Sequence, residues 1–182
     1  MRNATMLAAV CCWFLPIAGA HAEVADSTPG GFTSKQSVFI KAEPAVVYRK
    51  LVEGVGEWWD PAHTYSQDAH NLSIDEKAPG CWCEKLPNGG SVRHMEVVAV
   101  MPGKRLVLIG GLGPLQSMAA SGAMTLELSA EQGGTTLRVT YAVSGYSPAG
   151  LNTLAGPVDS VLAQQFGRLK NYVETGSPGT GK

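Results

Sequence analysis

The segment VVYRKLVEGVGEWWDPAHTY, Val46 to Tyr65, sets two of the chain's four tryptophans side by side where a short helical pattern meets Asp60-Pro61. Val47, Leu51, Val55 and Trp58 recur at helical spacing, Val52 and Trp59 widen the stripe, and Gly54 and Gly56 divide it into two short helices. Pro44 suits the first turn, where its missing N–H has no helical partner, and Asp60-Pro61 stops the second helix. Two indoles are too bulky for one small helix face, so at least one packs on a sheet or a cavity. Adjacent helical residues point about 100° apart. Trp58, which continues the stripe, is therefore expected in the core, and Trp59 at a cavity mouth.

The flanking sequence is β-patterned. Ser34–Ala42 alternates as a first strand. Downstream, Leu72 and Ile74 alternate, Ala78-Pro79-Gly80 turns, and Cys81–Leu86 pairs with Ser91–Val100 through Pro87-Asn88-Gly89-Gly90. Asn-Gly between strand residues is a strong hairpin signal. With Asn88 and Gly89 as the central turn residues, Cys83 faces His94, Glu84 faces Arg93, and Cys81 faces Glu96. Met101-Pro102-Gly103-Lys104 turns into Arg105–Ile109. A second hairpin runs from Met124, Leu126 and Leu128 through Glu131–Gly134 to Leu137, Val139, Tyr141 and Val143, apolar on one face and polar on the other. Leu151, Leu154, Ala155, Val158, Val161, Leu162, Phe166, Leu169 and Val173 then form a long helical stripe. Pro157 either starts that helix or kinks it, giving roughly 27 Å from Pro157 or roughly 36 Å from Leu151 at 1.5 Å per residue. The expected class is α+β, a curved antiparallel sheet gripping the Pro157–Glu174 helix, because no βαβ alternation is present.

This order resembles the helix-grip fold of the START-like superfamily, also labelled SRPBCC, over about Ser34 to Glu174. The matching motifs are the first strand, the helix pair ending in Trp58-Trp59, and the strand start Gly80-Cys81-Trp82. Val100-Met101-Pro102-Gly103-Lys104-Arg105-Leu106, Gly133-Gly134-Thr135-Thr136-Leu137 and the terminal helix Val158–Val173 complete the set. Within the superfamily the chain is most similar to the branch named for activators of a heat-shock ATPase. The resemblance implies a cavity between sheet and terminal helix that takes apolar small molecules and only sometimes carries catalysis. It does not imply the chaperone function, since an exported protein meets no ATP-driven cytosolic chaperone.

Export is expected from the N-terminus. Arg2 begins it, Met6–Ile17 is apolar apart from Pro16, and Ala20-His21-Ala22 has small-x-small form, so residues 1–22 read as a signal peptide cleaved after Ala22. The apolar run is shorter than the roughly 20 residues that cross a bilayer, so no membrane anchor is expected. Residues 23–33, rich in Ser, Thr, Pro and Gly, read as a flexible leader, residues 34–174 as the domain, and residues 175–182 as a disordered tail. The net charge is −1 and no basic cluster exceeds Lys104-Arg105, which excludes nucleic acid as the expected partner.

The leading functional expectation is binding of an apolar or amphipathic small molecule in a periplasmic or secreted setting. Trp58 or Trp59, Tyr141, Leu162 and Phe166 would line the cavity, with His94 as polar anchor. Alternatives are a cyclase, dehydratase or isomerase using His94 or Glu84 as acid–base, and a protein-interaction module with a large exposed apolar patch. No cofactor is expected: Gly110–Gln116 lacks Gly-Lys-Ser/Thr and reads as a flexible segment over a cavity entrance. Hydrolase signatures are absent. Cys81, Cys83, His94 and Glu96 include zinc-ligand types, yet Cys-x-Cys with one histidine does not match zinc spacings, and an ordinary sheet face is expected. Positions i and i+2 on a regular strand lie about 6.5 Å apart, so Cys81 and Cys83 are expected as free, part-buried thiols. His63 and Tyr65 are expected at a pocket mouth, His70 in solvent, and Glu84–Arg93 as an exposed cross-strand ion pair.

Overall fold

Eight segments of alternating or edge-strand pattern pair into one antiparallel sheet in the computed structural model, which describes residues 21–179. They are β1 (His21–Thr28), β2 (Gly31–Ile40), β3 (Leu72–Ile74), β4 (Gly80–Lys85), β5 (Ser91–Met101), β6 (Arg105–Gly110), β7 (Ala119–Glu131) and β8 (Gly134–Tyr146). The spatial order is β1-β2-β8-β7-β6-β5-β4-β3. Helices α1 (Pro44–Glu53) and α2 (Val55–Trp58) follow β2, and α3 (Asn152–Thr175) closes the chain. This is the α+β helix-grip architecture: a curved sheet holds α3 against its apolar face.

The apolar faces of sheet and helices meet in one core. Val47, Leu51, Val55 and Trp58 pack inward from α1 and α2, opposite Leu106, Leu108, Leu126 and Leu137 of the sheet. Ala155, Leu162, Phe166 and Leu169 bring α3 into it. Burial of side chains of this size stabilises by about 1.5–3 kcal/mol each. Gly176, in the left-handed region at φ 81°, ends α3 by donating its N–H to the Tyr172 carbonyl.

Three expectations change. Glu23–Thr33 is not a flexible leader: it forms β1 and the start of β2, with Val24 paired to Ser34 and Thr28 to Gly31. The β1 side chains from Ala22 to Thr28 are exposed and carry no alternating apolar signal, whereas Phe32 at the start of β2 is buried in the core. Residues 1–20 of the expected signal peptide, and 180–182 of the expected tail, lie outside the described residues. The last helix takes the longer of its two readings, beginning at Asn152 with Pro157 inside it. Pro157 sits in the second turn, where it costs the helix one hydrogen bond, to the Thr153 carbonyl.

The third change is register. Asn88 and Gly89 do occupy the turn with positive φ (59° and 78°), but pairing resumes as Lys85↔Ser91 and Cys83↔Arg93, one residue off the expected register. A β-bulge between Trp82 and Cys83 restores it at Trp82↔Met95 and Cys81↔Glu96. His94 is the extra residue, and its side chain and that of Met95 are both buried. Bulges re-aim side chains in this way.

Candidate functional site

The bulge determines which polar groups reach the interior. Inward alternation on β4 buries Trp82 and Glu84 and leaves Cys81 and Cys83 half-buried on the other face. His94 turns in beside them, and its Nε2 lies 2.9 Å from Glu84 Oε2. Glu84 is fully buried and also accepts the backbone N–H groups of Tyr65 (3.1 Å) and Ser66. Its expected partner Arg93 instead bonds Glu96 at 3.1 Å on the surface, so the Glu84–Arg93 ion pair does not exist. The four zinc-type residues are likewise divided between the two faces.

Burial pushes the Glu84 carboxyl up, but hydrogen bonds from Ser66 and the Tyr65 amide and the contact with His94 outweigh it and hold the group below the usual carboxylate range. Burial lowers His94, and Glu84 offsets this only in part. At neutral pH the pair is a carboxylate and a neutral imidazole. The ring carries its proton on Nε2, facing Glu84, and leaves Nδ1 as an acceptor with no protein partner among the described residues.

Above this pair lies a cleft of about 410 Å³ between the first half of α3 and two loops. Leu154, Val158, Val161 and Leu162 form its helical wall, and only Leu162 of these is fully buried. Ala62–Tyr65 forms one rim and Leu112–Pro114 the other. Tyr65 bridges the rims, its hydroxyl donating to the Gly113 carbonyl at 3.3 Å, and its ring lies 5.9 Å from that of His94. Tyr141 supports the second rim from below: its hydroxyl donates to the Gly110 carbonyl (3.1 Å) and accepts the Leu112 N–H (3.3 Å). Gly110 allows this loop to lie on β5. Its φ is 155°, and a Cβ there would meet the His94 carbonyl oxygen at 2.6 Å.

The structure divides the expected ligand-binding residues. Trp59, His94 and Leu162 line the cleft, as do His63 and Tyr65. Trp58 and Phe166, 6.0 Å apart between ring centroids, lie deeper and wall a small internal void. Trp58 donates to the Leu51 carbonyl (3.2 Å), Trp59 to the His63 carbonyl (3.0 Å). Tyr141 is a core residue beneath the rim. His70 is exposed and pairs with Asp68 at 2.9 Å. The sequence placed Leu154, Val158 and Val161 on the α3 stripe without assigning them to the cavity, whereas Leu112–Pro114 fall in the Gly110–Gln116 segment expected over a cavity entrance. No local signal separates a core-facing from a cleft-facing leucine or valine on one helix.

Cys81 and Cys83 are joined in a disulfide with Cα atoms 5.3 Å apart, in place of the free thiols expected. That separation is below the roughly 6.5 Å that a regular strand holds between i and i+2, and it falls within the range a disulfide spans.

No protein-family model and no curated protein matches the chain. Solved structures do. A conserved protein of unknown function from Enterococcus faecalis, EF2215, superposes with a TM-score of 0.61 at 18% identity, over 90% of this chain and 81% of that one. The Aha1 dimer from Colwellia psychrerythraea gives 0.54 at 19%, over 79% and 97%. DynU16, a protein of the dynemicin biosynthetic locus, gives 0.55 at 20%, over 79% of this chain and 48% of that one. At these identities the likeness establishes the fold, and the fold is the helix grip.

Proposed function

We propose that this chain is an exported START-like protein that holds an apolar or amphipathic small molecule in the α3 cleft, with His94 as its polar anchor. The observation that carries the reading is the uncovered wall Leu154, Val158 and Val161 facing the Glu84–His94 pair. A volume of about 410 Å³ falls within the range of small-molecule sites, which combine apolar walls with a few placed polar groups. The helix-grip fold and a neighbour from a biosynthetic locus agree with this reading but supply no ligand. The signal-peptide pattern of residues 1–22 and the Cys81–Cys83 disulfide both suit an oxidising exported compartment.

Native mass spectrometry of protein purified from its own host tests this directly. A retained ligand, displaced on Val158→Trp substitution, is expected. An empty protein that also takes up no fluorescent fatty acid or aromatic compound would refute the proposal.

A second reading, acid–base catalysis, is favoured by one specific observation. Glu84 holds Nε2 of His94 while Nδ1 is left as an acceptor, the arrangement of an oriented general base. Chemical alteration of the recovered ligand by wild-type protein but not by His94→Ala would establish it. An unaltered ligand would dismiss it.

A further inference from the structure

Glu84 brings a full negative charge to the cleft floor. Its side chain is fully buried, and three donors hold it as a carboxylate: His94 Nε2 at 2.9 Å, the Tyr65 N–H at 3.1 Å and the Ser66 N–H. Two of those donors belong to Tyr65 and His94, which line the cleft, so the anion stands one residue behind the lining. Nothing beside it cancels the charge. The His94 ring is neutral, the amides carry only dipoles, and no lysine or arginine lines the cleft among the described residues. Arg93 pairs with Glu96 on the surface, and Arg168 donates to the Trp58 and Gly179 carbonyls. A second carboxylate, Asp60, heads the Ala62–Tyr65 rim, where it accepts the Ala62 N–H (3.0 Å) and the Gln164 amide (2.9 Å). A buried anion without a counter-charge costs free energy, and buried charges in native structures are normally paired.

We propose that the α3 cleft selects an organic cation, an apolar body bearing one protonated amine, which supplies the counter-charge that the Glu84 carboxylate lacks. This rests on the binding reading of the cleft and narrows its ligand by charge. At roughly 8 Å, with one side chain interposed, and an effective dielectric of about 20, the attraction between unit charges corresponds to about thirtyfold in affinity. An anion of the same shape is repelled by the same factor. Ammonium and carboxylate lose similar hydration on entering the cleft, so the ratio of their affinities isolates the effect of charge. Because Glu84 is buried, salt screens its field little. Trp59 and Tyr65 place aromatic rings in the same lining, and the faces of such rings attract cations.

The test is calorimetric titration of the full exported chain at neutral pH with naphthylmethylamine, naphthalenemethanol and naphthoate of one substitution pattern: a cation, a neutral molecule and an anion on one ring system. The amine is expected to bind tightest and naphthoate weakest, with at least about a hundredfold between them. Glu84→Gln, checked for folding by circular dichroism, keeps the shape of the side chain and removes its charge. It is expected to cut that ratio at least tenfold or so. Should the variant fail to fold, the wild-type titrations repeated in about 1 M salt, where the Debye length is about 3 Å, decide the matter. A preference that survives belongs to a buried charge, whereas one that vanishes belongs to exposed carboxylates and overturns the proposal. Equal binding of the three, tightest binding of the alcohol or of naphthoate, or an unchanged ratio in folded Glu84→Gln overturns the cation site while the cleft reading stands. No binding of any of the three overturns both.

Discussion

Glu84→Gln is the most discriminating single change. Three donors converge on the two carboxylate oxygens: Tyr65 N–H and His94 Nε2–H on Oε2, and Ser66 N–H on Oε1. Glutamine offers one acceptor oxygen and places an NH₂ where the other was. If the oxygen faces Tyr65 and His94, the Ser66 amide meets a donor. If it faces Ser66, the Tyr65 amide does. Either orientation leaves one backbone N–H unpaired, at about 1–3 kcal/mol, and the remaining bonds lose their charge assistance, at about 1 kcal/mol more. A loss of about 2–4 kcal/mol lowers Tm by roughly 5–15 °C for a domain of this size. The assay is thermal unfolding followed by circular dichroism, beside Glu96→Gln, whose part-exposed carboxylate pairs with Arg93 among the described residues and whose loss should stay within about 0.5 kcal/mol. Imidazole nitrogen NMR adds a second readout, since a flip that presents Nε2 as acceptor moves the His94 proton to Nδ1. Equal Tm values for the two variants, with the His94 tautomer unchanged, would refute the convergent geometry.

Acid should destabilise the protein in two stages of one sign. The folded pKa of His94 lies below its ordinary 6.5, so the unfolded chain binds the proton first, and stability falls as pH drops from 6.5 toward the folded value. The folded pKa of Glu84 lies below its ordinary 4.5, so its contribution is complete above 4.5 and is lost as pH falls through the folded value. His94→Gln should remove the upper stage in a pH series of urea midpoints, and persistence of that stage would exclude His94 as its source. Trp58→Ala should cost about 3–5 kcal/mol, as other buried aromatics do, whereas Trp59→Ala should cost less stability and weaken ligand uptake more. Equal stability losses with unchanged uptake would make both rings plain core. Cys81→Ser/Cys83→Ser should relax the bulge and shift the His94 ring resonances, and unperturbed resonances would show that the bulge holds without the disulfide.

Local patterning carried most of the architecture. Period-two alternation and Asn88-Gly89 specify the hairpins, and the α3 stripe from Leu151 to Val173 specifies the terminal helix, because these depend on neighbours close in sequence. The same patterning placed Trp58 in the core and Trp59 at the cleft. Tertiary structure alone decided the rest. β1 is a strand because β2 offers it an edge, a backbone property that its side chains do not encode. The bulge opposite Trp82 and Cys83 shifts pairing by one residue, and with period two one residue exchanges the faces of the sheet. That shift took Glu84 from a surface pair with Arg93 to a buried pair with His94. Leu154, Val158 and Val161 became a cleft wall because they face the two rim loops across open space, whereas Ala155, Phe166 and Leu169 of the same helix pack into the core. Helical period marks which face of α3 is apolar, but what that face meets is set by segments distant in the chain.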